Sequence, residues 1–82
     1  MKPLAFSLHA RHVAEQRAIK GPWIEAAARA PDWTMPDPSG AERRFRIIAE
    51  HQNRILRVVC VETDTEVRVI TVFFDRRARR PS

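Results

Sequence analysis

Between Glu42 and Asp75, three runs rich in β-branched and aromatic residues, "ERRFRIIA", "RILRVVCVE" and "VRVITVFFD", are separated by only four residues each, "EHQN" and "TDTE". Each run has the composition of a half-buried strand. Links this short cannot carry the crossover that parallel neighbours require. The segment therefore predicts a three-stranded antiparallel meander.

The chain before it changes period. Ser7 is a good N-cap, and Leu8, Ala10, Val13 and Ala14 form a short apolar stripe at helical spacing that ends near Ala18, before "KGP". Pro22 suits the first position of a second helix, whose Ile24, Ala27 and Ala28 make a narrow stripe closed by Ala30 and Pro31. The stretch "PDWTMPDPSGAE" has three prolines and reads as a loop with at most a short extended piece around Trp33 to Met35. The expected fold is α+β: two N-terminal helices packed on one face of a three- to four-stranded antiparallel sheet, in the order ααβββ. One domain over residues 1–75 and a basic, disordered tail over 76–82 complete this reading.

The net charge of +5 invites a nucleic-acid partner, but Arg76, Arg77, Arg79 and Arg80 of the tail supply four of the fifteen basic residues. Residues 1–75 hold eleven basic groups against ten acidic ones. Bulk charge thus argues for an anion-seeking tail, and only the placement of arginines can argue for a site. A single cysteine, Cys60, excludes an internal disulfide and reads as a small buried hydrophobe in an apolar strand. With no charged-then-apolar leader and no apolar run of spanning length, the expectation is a cytoplasmic chain with no membrane partner.

If each four-residue turn closes a simple hairpin, Ala49 faces Arg54 and Glu62 faces Val67. Phe45, Ile47, Leu56, Val58, Cys60, Val69, Thr71 and Phe73 then form the face under the helices. The opposite face collects Arg44, Arg46 and Arg57 beside Phe74, with Arg46 opposite Arg57 and no carboxylate in the set. Such a cluster wants an anion: guanidinium forks match phosphate bidentately and Phe74 can stack a base, a surface suited to single-stranded RNA. The plainer alternative is that the arginines solubilise the sheet, their stems lying over Ile and Val. A one-residue bulge would scatter the cluster.

On helix one, Arg11 and His12 project to solvent, whereas His9 flanks the apolar stripe and Arg17 projects into its middle. Arg17 is either a structural ion pair or a substrate clamp, since its charge cannot be shed. His9 is either a satisfied boundary histidine or an acid–base group. The chain has only Gly21 and Gly40 and no phosphate-binding glycine loop. His9 and His12 diverge too far to share a metal, so neither a metal nor a cofactor is expected.

The stretches "FSLHARHVAEQRAI", "PDWTMPDPSGAERRFRI" and "NRILRVVCVETDTEVRVITVFFDRR" resemble the bacterial domain of unknown function 4258, from Phe6 to Arg77. That family is grouped with the barnase/colicin/RelE-type ribonuclease fold, and some members accompany toxin–antitoxin or mobile-element genes. The resemblance implies a toxin-like protein that binds RNA or cleaves it without a metal. On this reading His9 and Arg57 are catalytic, and Arg17, Arg44, Arg46 and Phe74 hold the substrate. The family often has an arginine where Val13 stands and a glycine where Ala18 stands. The rival expectation is a non-catalytic interaction module whose partner is an acidic, antitoxin-like protein or a second copy of the chain, as a homodimer.

Overall fold

In the computed structural model, which describes residues 1–81, every expected element forms, the extended piece allowed around Trp33 becomes a strand, and one further strand is added. The order is β1 (Leu4–Phe6), α1 (Leu8–Gln16), α2 (Gly21–Arg29), β2 (Trp33–Pro36), β3 (Glu42–Ile48), a 3-10 turn at Ala49–His51, β4 (Arg54–Glu62) and β5 (Val67–Phe74). The sheet has five strands in the order β1-β5-β4-β3-β2. It is mixed rather than antiparallel, because β1 runs parallel to β5 and pairs Leu4 with Val67 and Phe6 with Val69. A three-residue strand is too short to show an alternating pattern, so β1 has no signature in the sequence. The extended piece around Trp33 is β2, which pairs with β3 at the opposite edge.

Both helices lie on one face. α1 packs along β5, and α2 covers β3 and β4. Trp23, Ile24, Ala27 and Ala28 bury the inner side of α2 against Leu56, Val58, Cys60 and Val69. The Ser7 hydroxyl accepts a hydrogen bond from the Ala10 amide at 3.0 Å and so caps α1. The apolar stripe on α1 is narrower than expected. Ala10 is fully buried and Ala14 packs on the core, but Leu8, in the first turn, is 86% exposed.

The register of β3 on β4 departs from the simple hairpin by one residue. Ile48, not Ala49, faces Arg54. The connection is five residues long because it holds the 3-10 turn and then two consecutive left-handed residues, Gln52 (φ 58°) and Asn53 (φ 57°). A slip of one residue turns every side chain of a strand to the other face. Arg44, Arg46 and Ile48 therefore face the helices. Phe45 faces away from them, stacked on Trp33 with ring centroids 5.1 Å apart. Glu62 does face Val67, but a bulge between Val59 and Cys60 shifts the rest of β5 by one. Val72 and Phe74 thus join the helix face, and Thr71 and Phe73 the far face.

α1 ends in a Schellman motif: the Ile19 amide donates to the Ala14 carbonyl at 2.8 Å, and the Ala18 amide to that of Glu15 at 3.2 Å. The motif needs a left-handed residue, and Ala18 supplies it at φ 53° against its steric preference. Ala18→Gly is expected to stabilise the domain by roughly 0.5–1 kcal/mol. That corresponds to a rise in Tm of about 2–8 °C for a domain of this size, read by thermal melting. An unchanged or lower Tm would show that the left-handed turn carries no strain.

Candidate nucleic-acid interface

The arginines expected to form one cluster lie on two faces. Arg44 Nη1 donates to the Ala28 carbonyl and Arg46 Nη1 to the Ala30 carbonyl, each at 2.6 Å. Both carbonyls belong to the last turn and cap of α2, where orphaned acceptors and the negative end of the helix dipole favour cations. Arg44 is also paired with Glu42 at 2.7 Å and Glu62 at 2.9 Å. These two arginines fasten α2 to β3. The expectation that Arg44 lacks carboxylates is corrected by those pairs, and the shared face with Arg57 by the register.

Arg57 lies on the far face, and carboxylates meet it there too. Its Nη1 is 3.0 Å from Asp75, which directly follows β5, and its Nη2 is 3.9 Å from Asp37, in the turn between β2 and β3. Asp37 also binds Arg43 at 2.7 Å. The guanidinium of Arg57 stands over the Phe73 ring at 4.8 Å, and its Nε is buried without a partner among the described residues. Two arginines and two aspartates thus close into a nearly neutral clasp.

His9 reaches this face from the sheet edge. β1 covers β5 only as far as Val69, and α1 then runs beside the uncovered edge, where His9 Nε2 shares a hydrogen bond with Thr71 Oγ1 at 3.1 Å. Thr71 and Phe73 are successive residues on the far face of β5, and Phe73 faces Arg57. The two residues expected to be catalytic, His9 and Arg57, therefore share one face, linked through the Thr71–Phe73 row.

Phe74 points to the other side, into a ring cluster that the sequence did not reveal. His51 lies 4.7 Å from Phe74 and 5.2 Å from Trp23 between ring centroids, and Arg54 stands over Phe74 at 5.0 Å. Arg54 Nη1 is 3.3 Å from His51 Nε2. A guanidinium can only donate, so Nε2 accepts and the ring proton sits on Nδ1.

Beside these rings is an open cleft of about 260 Å³ lined by Arg17, Ile19, His51, Arg54, Phe73, Phe74 and Arg76. Arg17 reaches it because α1 ends at Gln16. Arg17, as the C-cap, leaves the helical stripe and is exposed rather than aimed at the core. Arg17, Arg54 and Arg76 have no carboxylate within 4.0 Å among the described residues. Arg54 opens β4 and Arg76 follows β5, so a meander necessarily brings them to one end of the sheet. That common end is the signal by which the sequence could have revealed them. Among the described residues no three His, Cys, Asp or Glu side chains are placed to hold a metal ion. No helix is long and apolar enough to cross a membrane.

Carboxylates of the clasp titrate low. The Ser39 hydroxyl and then Arg43, each hydrogen-bonded to Asp37, hold its carboxyl well below the ordinary 3.8. Burial pushes Asp75 up, but the Arg77 amide and Arg57 outweigh it and leave the group lowered. Because the folded values lie below the unfolded one, the stabilisation is complete above the unfolded value and is lost as pH falls through the folded values. Tm is expected to be level above about pH 5 and to fall below about pH 4, with a shallower acid limb in Asp37→Asn. A pH titration of Tm for both proteins checks this, and parallel acid limbs would exclude the clasp as the cause.

A family model described as a domain of unknown function (DUF4258) matches residues 6–74. No curated protein and no solved structure matches the chain. The match runs from the last residue of β1 to the last residue of β5, taking in both helices, the clasp except Asp75 and the cleft except Arg76, and the chain belongs to this DUF4258 family.

Proposed function

We propose that the protein binds single-stranded RNA along the C-terminal half of β5, with phosphates held by Arg17, Arg54 and Arg76 and bases stacked on the rings of the cleft. The observation that carries this reading is the meeting, in one open cleft, of a cluster of aromatic rings and three guanidiniums that have no carboxylate partner among the described residues. Backbone charge supplies affinity and ring faces accept any base, which is how sequence-tolerant single-strand binders work. The role first expected of Arg44 and Arg46 passes to these three residues, since both of the former are occupied with α2. The tail adds Arg79, which lines a second shallow depression with Arg54 and Arg76.

A cleavage reading rests on the His9–Thr71–Phe73–Arg57 row, which meets the cleft at Phe73. His9 would take the proton of a ribose 2′-hydroxyl. The 2′-oxygen would bond to phosphorus and the bond to the 5′-oxygen would break, that oxygen taking up a proton from solvent water, to leave a 2′,3′-cyclic phosphate and a 5′-hydroxyl. Arg57 would stabilise the charge on the phosphorane. This accords with the ribonuclease-type fold and toxin-like role that the family resemblance implies, and it needs no metal.

The test is fluorescence anisotropy with a labelled single-stranded RNA and its duplex across a salt series. Single-strand binding is expected, with log K falling against log salt at a slope of about −2 for three phosphate contacts. Arg17→Ala/Arg76→Ala, which changes two exposed side chains, is expected to weaken binding by about tenfold or more and to flatten that slope. Equal binding by wild type and variant would remove the cleft from the reading. His9→Ala is expected to bind normally, and equal cleavage rates for His9→Ala and wild type would end the catalytic reading.

A further inference from the structure

A second surface lies across the molecule's helical side. Phe6, Ala14, Ile19, Gly21 and Ile24 line an apolar groove of about 280 Å³ between α1 and α2, and Arg11 and Glu15 stand on its rim. One turn before that rim is Leu8, 86% exposed on the same side of α1. Apart from its chain neighbours and the backbone of its own helix, no described residue comes within 4 Å of where a Cβ on Gly21 would stand, so the floor at that end is open. Arg11 and Glu15 are one helical turn apart, yet neither forms an ion pair among the described residues. Arginine placed four residues before glutamate is the weaker order for pairing within a helix, which leaves both charges for another partner.

A ridge and a groove on one surface, with one charge of each sign between them, are complementary to themselves. A two-fold axis crossing α1 at Val13 sets two copies of the helix antiparallel. Arg11 then faces the partner's Glu15, and Glu15 faces the partner's Arg11. The same rotation carries Leu8 opposite the partner's Ala18, the end of the groove where Ile19, Gly21 and Ile24 lie. One operation thus satisfies two charges and one apolar knob per chain, as an isologous contact must. We propose that the protein is a homodimer in which α1 packs antiparallel on α1 of a second copy, with Leu8 seated in the groove between α1 and α2. The gain is largest for a chain of this size, which has little core of its own to draw on. Of the residues lining the groove, Ile19 alone also lines the β5 cleft, so the proposal rests on observations of its own and not on the RNA reading.

Sedimentation velocity of the full chain over about 1–200 µM tests it. A species of twice the 9.5 kDa chain mass is expected at the upper end. Leu8→Lys alters a side chain that touches solvent and is expected to weaken dimerisation by at least about tenfold with Tm of the monomer unchanged. Arg11→Glu is expected to do the same by opposing two like charges across each contact, and Arg11→Glu/Glu15→Arg to restore the dimer. A wild type monomeric throughout, a dimer that survives Leu8→Lys, or a double variant that stays monomeric would each overturn the proposal.

Discussion

Two consecutive residues in the left-handed region, Gln52 and Asn53, decide what the sheet presents on each side. They lengthen the β3–β4 connection to five residues and set Ile48 against Arg54. Everything on β3 follows from that pairing. Arg44 and Arg46 are delivered to the α2 carbonyls, Phe45 is delivered to Trp33, and Arg43 is left facing Asp37. With the alternative register, two guanidiniums would leave the helix terminus bare, and a phenyl ring would stand where they now reach. The left-handed pair is costly for glutamine and easier for asparagine, and the fold tolerates it because so many contacts depend on the result.

Seven of the thirteen arginines divide into three physical kinds. Arg44 and Arg46 work as helix fasteners, with carbonyl partners that neutralise no charge but satisfy acceptors no amide can reach. Arg43 and Arg57 are balanced by Asp37 and Asp75, so the far face of the sheet is close to neutral despite its arginines. Arg17, Arg54 and Arg76 have no carboxylate partner among the described residues. Net charge alone would weigh all seven alike, whereas the positions of their partners single out the last three as the ones whose charge no carboxylate offsets among the described residues.

The sequence showed each element whose length exceeds a few residues, because periodicity, an N-cap serine and a proline at a helix start are local signals. β4 matches its expected bounds, Arg54–Glu62, at both ends. What it hid was decided by single residues: a 3-10 turn in place of a plain loop, and one bulge between Val59 and Cys60. Each moves a strand face by one position, and together they dissolve the arginine cluster read from alternation. His9 survived that change because its place comes from the edge of β5, which α1 follows whatever the register. The cleft stayed hidden because its members come from three separate stretches, and only the pairing of the strands shows that those stretches meet.

The parallel pairing of β1 with β5 sets an order on events in the newly made chain. Of the five strands β1 is synthesised first, and the strand it pairs with is synthesised last. The β3–β4–β5 meander can zip locally, whereas β1 waits for a loop of some sixty residues to close and gains few hydrogen bonds when it does. The last seam to form is therefore also the first able to open. Since α1 hangs directly from β1, a momentary release there would carry His9 away from Thr71 while leaving the meander and its cleft intact.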